Sequence, residues 1–145
     1  SMNEKMKKIM TALIVIIVIF FVFASYIVNK QRGDIHDVQR TVGVSTVYSD
    51  KDITDAMNLV LNHFFLNFKG CTLTDIWYPG DESLPAAEGW AAQYNADEAI
   101  VLLSNFDVDS SGGDGSLNPN STYNNWNWIL VRDSGENWEL KTWGY

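Results

Sequence analysis

Cysteine and histidine are scarce in this chain, which has one cysteine and two histidines in 145 residues. A lone cysteine excludes a disulfide framework and a cysteine-based zinc site, and two histidines form no histidine-rich metal cluster. Basic residues are scarce after residue 40, where 4 Lys and Arg stand against 15 Asp and Glu, a net charge of −11. Because an acidic surface repels phosphate, we expect no nucleic-acid partner. The length allows one domain of ordinary size.

Charged residues are absent from residues 9–28, IMTALIVIIVIFFVFASYIV. As a helix, 20 residues span about 30 Å, the thickness of a bilayer core. Lysines precede this run, at positions 5, 7 and 8, and they predict a cytoplasmic N-terminus with the later residues outside the cell. A signal peptide cleaved after Ala24 is the alternative, and it also exports the remainder. We predict a cytoplasmic tail at residues 1–8, a single-pass cell-membrane anchor at 9–28, a tether at 29–48 and an extracytoplasmic domain at 49–145.

Apolar residues recur at a spacing of three and four between residues 53 and 68, which predicts an amphipathic helix. Ser49 or Asp52 can cap its start, and Gly70 suits its end. β-Forming residues predict strands at 71–78 and 98–108, and a hairpin turns at Gly135. A short helix is predicted at 85–94. The order indicates an α+β fold, with one long helix across an antiparallel sheet. The predicted core comprises Phe64, Phe65, Phe68, Val101, Leu103, Leu130 and Leu140.

One helix followed by strands that end in W-x-W-I-L-V-R-D-x-G-x-x-W-x-L resembles the small cystatin-like and nuclear-transport-factor-2-like domains. More narrowly, residues 48–145 are similar to an uncharacterised extracytoplasmic domain of Gram-positive bacteria. The matching segments are N-F-K-G-C-T-L-T, A-D-E-A-I-V-L-L-S, D-V-D-S-S-G-G-D-G-S-L-N-P-N-S-T-Y and the terminal W-G-Y. That domain occurs as a membrane-tethered small protein and fused to membrane-bound antibiotic-sensor proteases. The resemblance implies the fold and the location, but no activity and no catalytic residues.

The glycine-rich loop after residue 106 has oxygen-bearing side chains at spacings seen in calcium loops. Counted from the first aspartate, positions 1, 3 and 5 are oxygen donors and position 6 is glycine, but position 12 is Asn instead of Glu. A solvated loop whose Asp and Gly serve turn geometry is the alternative. We predict a weak Ca²⁺ site here, and no other cofactor. Its ligands would be Asp107, Asp109, Ser111, Asp114 and Asn118.

Six tryptophans are present, and all follow residue 76. Aromatic faces beside carboxylates bind sugars or cationic groups, although most such rings are buried in a core. Trp128 and Trp138 are expected in the core. The predicted ligand-binding residues are Trp77, Trp126, Trp143, Asp75 and Glu98.

A catalytic site has little support in the sequence. We expect His63 to be an exposed helix residue and Cys71 a small buried one, and Ser104 lies in no nucleophile motif. The pattern therefore favours a membrane-anchored module that binds or senses a small ligand outside the cell. The alternatives are a small envelope hydrolase, for which Asp75 and Glu98 would have to meet in a pocket, and a structural partner of another envelope protein.

Overall fold

The computed structural model describes residues 2–145, and the chain divides into two compact units, with the boundary between Gln31 and Arg32. The first unit is essentially one helix, α1 (Glu4–Lys30), which begins at the N-cap Asn3. None of its residues is buried. The helix is long and apolar enough to cross a membrane or to act as a signal sequence.

The second unit contains two α-helices, a 3-10 turn and a five-stranded sheet. Its helices are α2 (Asp50–Asn67) and α3 (Leu84–Gln93), and the 3-10 turn Asp81–Ser83 precedes α3. Its strands are β1 (Gln39–Thr41), β2 (Cys71–Trp77), β3 (Glu98–Val108), β4 (Ser121–Arg132) and β5 (Glu139–Gly144).

The sheet is ordered β1-β2-β3-β4-β5 along its width. Strand β1 pairs in parallel with β2, and all other neighbours are antiparallel. The α+β class is therefore confirmed, but the sheet is mixed instead of purely antiparallel. The parallel pairing arises because the segment before α2 returns to the free edge of β2, and a three-residue strand carries too little pattern to be recognised from sequence.

Helices cover both faces of this sheet. Helix α2 packs on the face that carries Leu73, Ile100 and Trp128, and these side chains form the larger core. Helix α3 packs on the opposite face through Ala87 and Ala91, which contact a smaller core made by alternate residues of β3 and β4. Strand β3 is central and buried on both faces, as its continuous apolar run predicts.

β-Bulges interrupt three strand pairs and change which side chains face α2. The register slips at Thr74 in β2, before Trp126 in β4 and at Lys141 in β5. In β4 two residues, Asn124 and Asn125, lie opposite one residue of β3, and Asn125 adopts a positive φ of 57°. A bulge bends its strand and allows residues three apart to share one face. Tyr123 and Trp126, whose rings are 5.4 Å apart, are such a pair.

The segment over residues 32–48 differs from the predicted tether, because much of it is fixed to the folded unit. Gly33 donates its backbone N–H to the Phe65 carbonyl over 2.9 Å, and Asp34 forms a bridge with Thr72. A Cβ at Gly33 would lie 2.3 Å from the Phe64 carbonyl oxygen, so only glycine fits this approach. Residues 39–41 then form β1.

Two predicted core residues lie elsewhere. Phe65 is 40 % exposed on α2, where its ring lies under the Arg32 guanidinium at 5.5 Å, and Leu103 is only half-buried. Phe64 is fully buried. Phe65, the next residue, points away from Phe64 around the helix and lies outside the buried apolar stripe of α2. Trp128 and Trp138 are buried as predicted. Phe68, Leu130 and Leu140 belong to the larger core and its margin, whereas Val101 packs in the smaller one.

Arg132 joins three elements of the α2 face. Its guanidinium bonds to Asp52 over 3.0 Å and also to Glu98, and it lies 4.0 Å from the centre of the Trp138 ring. The bond from Arg132, together with bonds from Ser49 in a capping box, lowers the pKa of Asp52. This contact fixes the N-terminal end of α2 to β3 and to the β4–β5 hairpin.

The buried hydroxyl of Ser104 explains how Trp128 is tolerated in the core. Both residues have no exposed surface, and the indole Nε1–H donates to Ser104 Oγ over 2.8 Å. Because the hydroxyl accepts this bond inside the core, Ser104 has a structural role.

Replacing Ser104 by alanine should destabilise the protein by about 1–3 kcal/mol, since it leaves the Trp128 N–H buried without an acceptor. Urea denaturation of the full chain in detergent, monitored by tryptophan fluorescence, measures this loss of stability. Ser110→Ala, in the exposed loop, is the control and should change little. A loss for Ser104→Ala no larger than for the control would contradict this role of the hydroxyl.

Asp81→Asn should lower the melting temperature at neutral pH. The Asp81 carboxylate accepts bonds from Ser45, Thr46 and Tyr78, and these bonds lower its pKa from 3.8. A lowered folded-state pKa means that the stabilisation is complete above pH 3.8 and is lost as pH falls below it. The difference between wild type and variant should therefore shrink in acid. A difference that is constant with pH would contradict this assignment.

Candidate functional site

A cavity of about 540 Å³ opens beside the C-terminal end of α2. This volume lies within the range of about 300–1,000 Å³ that is common for small-molecule sites. Its walls come from four places: the end of α2 with the following turn, the start of β2, the β3–β4 loop, and the bulged parts of β4 and β5. The lining residues are His63, Asn67, Phe68, Lys69, Cys71, Gly113, Asp114, Ser116, Leu117, Trp126 and Trp143.

Aromatic rings form much of the cavity wall. Trp143 is 41 % exposed, and its ring centre lies 4.3 Å from that of His63 and 6.0 Å from that of Trp128. Phe68 lies 5.4 Å from Trp128 and stacks on Phe64 at 4.8 Å. The core thus continues directly into the cavity wall, so these rings are held in place by their packing.

Two ring nitrogens on residues that line the cavity are buried without a hydrogen-bond partner, His63 Nε2 and Trp126 Nε1. Burial lowers the pKa of His63, so the imidazole is neutral at pH 7. Buried polar groups are nearly always paired in folded proteins, and an unpaired one is costly. Two such atoms on residues that line one cavity are therefore an unusual feature of this site.

The β3–β4 loop forms a wall that is fixed by its own hydrogen bonds. The Asp109 carboxylate accepts the backbone N–H of Ser111 over 2.8 Å, and that of Asp114 accepts the N–H of Ser116 over 2.9 Å. The Tyr123 hydroxyl accepts the N–H of Asn118 over 3.0 Å. The loop therefore has a fixed backbone conformation, and its glycines allow the turns that this conformation contains.

Cys71 and His63 line the same cavity but do not form a nucleophilic pair. The Cys71 thiol donates to the Lys69 carbonyl oxygen over 3.6 Å, and burial raises its pKa to about 11. Nε2 of His63 has no partner, so it does not bond to the thiol. An activated cysteine needs a lowered pKa and a base within hydrogen-bonding reach. This arrangement supplies neither.

The structure brings together two of the five predicted ligand-binding residues, Trp126 and Trp143, in the cavity wall. Asp75 lies on β2, where its carboxylate accepts bonds from Thr74 and Asn105. Trp77 ends the same strand and is half-buried outside the cavity wall.

Asp75 and Glu98 do not converge. Asp75 pairs with Asn105 on β3, and Glu98 lies seven residues farther along that strand. At about 3.4 Å per residue, the backbone positions of Asp75 and Glu98 are about 24 Å apart along the strand direction. Glu98 instead bonds to Arg132. The pocket that a two-carboxylate hydrolase would need is therefore not formed by this pair.

The predicted calcium ligands are engaged in hydrogen bonds of the loop itself. Asp107 accepts the Thr122 hydroxyl over 2.6 Å, the Asp109 carboxylate accepts both the N–H and the hydroxyl of Ser111, Asp114 caps a turn, and Asn118 is exposed. Among residues 2–145, no three His, Cys, Asp or Glu side chains are grouped closely enough to hold a metal ion. The calcium site has no support in this geometry and stays a prediction.

Sequence reasoning missed His63, which is half-buried instead of exposed. It lies three residues after Val60 and seven after Ala56, both of which are buried, so it borders the apolar stripe of α2. That spacing was the available signal. Phe68 was assigned to the core, and its position at the cavity depends on the chain path after α2, which periodicity does not specify.

Comparison of the chain with protein-family models, with curated proteins and with solved structures finds no match.

His63→Gln should make the protein less sensitive to mild acid. The folded-state pKa of His63 lies below 6.5, so the unfolded chain takes up the proton first and wild-type stability falls as pH drops below 6.5. Melting temperatures at pH 7.5 and 5.5, about one unit on either side of 6.5, measure the effect. The other histidine, His36, is unchanged in both proteins and cancels in the comparison. An identical pH response of the two proteins would contradict the burial of His63.

Gly113→Ala should destabilise the fold by about 1–3 kcal/mol, because Gly113 adopts a positive φ of 69° and its Cβ would lie 3.3 Å from Leu117 Cδ1. Gly89→Ala is the matched control, since this exposed glycine in α3 has open space around it. Alanine there should stabilise α3 by about 0.5–1 kcal/mol. Urea denaturation measures both, and equal changes would contradict the fixed loop.

Proposed function

We propose that this chain is a membrane-anchored module that binds a small ligand outside the cell, in the cavity beside the end of α2. Helix α1 anchors the module in the cell membrane, with its N-terminus in the cytoplasm. The observation that carries the proposal is the cavity itself, because two of its lining residues carry a buried ring nitrogen without a partner, His63 Nε2 and Trp126 Nε1.

The anchor rests on the composition of α1. Its apolar surface is unburied along its whole length, and exposed apolar surface of that size is stable in lipid and unfavourable in water. The lysines at its N-terminal end favour a cytoplasmic tail by the positive-inside rule.

The ligand-binding role rests on the two ring nitrogens that have no hydrogen-bond partner in the protein, His63 Nε2 and Trp126 Nε1. A ligand that hydrogen-bonds to His63 and Trp126 recovers free energy that folding alone leaves unrealised. The exposed Trp143 ring adds apolar area at the cavity. Binding is favoured over catalysis because Cys71 is a protonated, inactive thiol and Asp75 lies far from Glu98.

We further propose kinship with cystatin-like and nuclear-transport-factor-2-like domains. Its support is the arrangement of one long helix, α2, against the face of a bulged antiparallel section of sheet. In such a fold the concave face of the sheet is a natural place for a small-molecule site.

The topology can be tested by cysteine labelling of intact cells in a Cys71→Ala background. A membrane-impermeant maleimide should react with Glu136→Cys, in the exposed β4–β5 turn, before lysis. It should react with Asn3→Cys only after lysis. Labelling of Asn3→Cys in intact cells would reverse the orientation, and a soluble product that lacks residues 2–24 would replace the anchor with a cleaved signal peptide.

Ligand binding can be tested with the full chain in lipid nanodiscs, labelled with ¹⁵N at the tryptophan indoles. A panel of neutral sugars, quaternary ammonium compounds and short peptides is added in turn. We expect at least one class to shift the indole resonances of Trp126 and Trp143. The resonance of Trp90, in α3 on the opposite face of the sheet, should stay fixed. No shift of Trp126 or Trp143 with any class would contradict a ligand site here.

A further inference from the structure

The hydrogen bonds around His63 show whether its unpartnered nitrogen is a donor or an acceptor. The Asn67 side-chain nitrogen lies 3.0 Å from the His63 carbonyl oxygen and 3.3 Å from His63 Nδ1. An amide nitrogen only donates, so Nδ1 is the acceptor and the neutral ring carries its proton on Nε2. The indole Nε1–H of Trp126 is also only a donor. Both unpartnered atoms are therefore N–H groups that need an acceptor.

Two donors without acceptors argue against a quaternary ammonium ligand, even though the wall is aromatic. Such a cation offers no acceptor oxygen for these two N–H groups. The residues after 40 carry a net charge of −11, which disfavours a fully anionic ligand, and the opposite charges of Lys69 and Asp114 at the cavity give its wall no single sign. The charges around the site favour a neutral molecule that is rich in oxygen.

The remaining lining residues match a molecule with one apolar face and many hydroxyl groups. Trp143 supplies an exposed ring on which a flat C–H surface can stack. Asp114, Ser116 and Asn67 supply acceptors and donors for hydroxyl groups around that surface. Hydroxyl and acetamido oxygens in turn accept from His63 and Trp126.

We propose that the cavity binds a neutral pyranose saccharide, with a sugar ring stacked on Trp143 and sugar oxygens accepting from His63 Nε2–H and Trp126 Nε1–H. This inference rests on the proposed ligand-binding function and names its ligand class. Both nitrogens are closed to solvent in the ligand-free fold. The rings of Trp143 and Tyr145 are exposed and contact His63 and Trp126 respectively, so the proposed binding requires these or neighbouring rings to move.

The test is calorimetric titration of the full chain in nanodiscs with two neutral probes, triacetylchitotriose and cellotriose. At least one should bind with a dissociation constant below about 1 mM. Trp143→Ala should weaken that binding by about ten-fold or more, equivalent to about 1.4 kcal/mol. Trp126→Phe keeps a ring but removes the N–H, and should weaken it several-fold.

Trp90→Phe is the matched control, because this tryptophan packs on the opposite face of the sheet and should leave sugar binding unchanged. Circular dichroism and melting curves show whether each variant is folded. If Trp143→Ala does not fold, Trp126→Phe and a milder Trp143→Leu decide the outcome. Sugar binding that is unaffected by these cavity substitutions would overturn the inference.

A parallel titration with tetramethylammonium separates this inference from the proposed function. If neither sugar binds at concentrations on the order of 10 mM while tetramethylammonium binds and Trp143→Leu weakens it, the saccharide assignment is wrong and the ligand-binding function stands. If neither sugar nor tetramethylammonium binds, the saccharide assignment is overturned, and the indole resonance panel decides separately whether the cavity binds any ligand.

Discussion

The packing of α2 against a bent sheet is the interaction on which the rest of the folded unit depends. An amphipathic helix of 18 residues has to bury its apolar stripe, and the sheet supplies a matching surface. The bulges in β2, β4 and β5 bend that surface and bring residues three apart onto the helix side. The larger core, the cavity and its aromatic wall all depend on this contact.

The two ends of α2 meet different surroundings. At its N-terminal end, Arg132 and the Ser49 capping box close the packing with ionic and hydrogen bonds. At its C-terminal end, the chain turns at Gly70 and the β3–β4 loop packs against the turn, with Gly113 close to Lys69 and Cys71. A gap remains between loop and sheet, and the rings of His63, Trp126 and Trp143 border it. The cavity is thus a consequence of how the long helix ends.

The sequence predicted the regular elements well where periodicity is strong. Helix α2, the central strand β3 and the hairpin at Gly135 lie within a few residues of their predicted positions. The sequence-based prediction is wrong where one inserted residue moves the following side chains to the other face of the sheet. Strict alternation in β5 places Trp143 opposite Leu140, but the bulge at Lys141 returns Trp143 to the α2 side, beside Trp128.

Only part of the candidate site could therefore be predicted from the sequence. Composition and spacing predict Trp126 and Trp143 as ligand-binding residues, and both line the cavity, but the same prediction groups them with Asp75 and Glu98, which lie at distant points of the sheet. His63 was assigned to solvent. Which side chains share a cavity depends on strand register and on loop path, and neither leaves a local pattern in the residues themselves.

The most direct test is an experimental structure of the full chain with bound triacetylchitotriose or cellotriose, whichever of the two binds. We expect a sugar ring on Trp143, with sugar oxygens within about 3.2 Å of His63 Nε2 and Trp126 Nε1. A sugar bound elsewhere on the domain, or a cavity in which both nitrogens stay unpartnered beside the bound ligand, would contradict it.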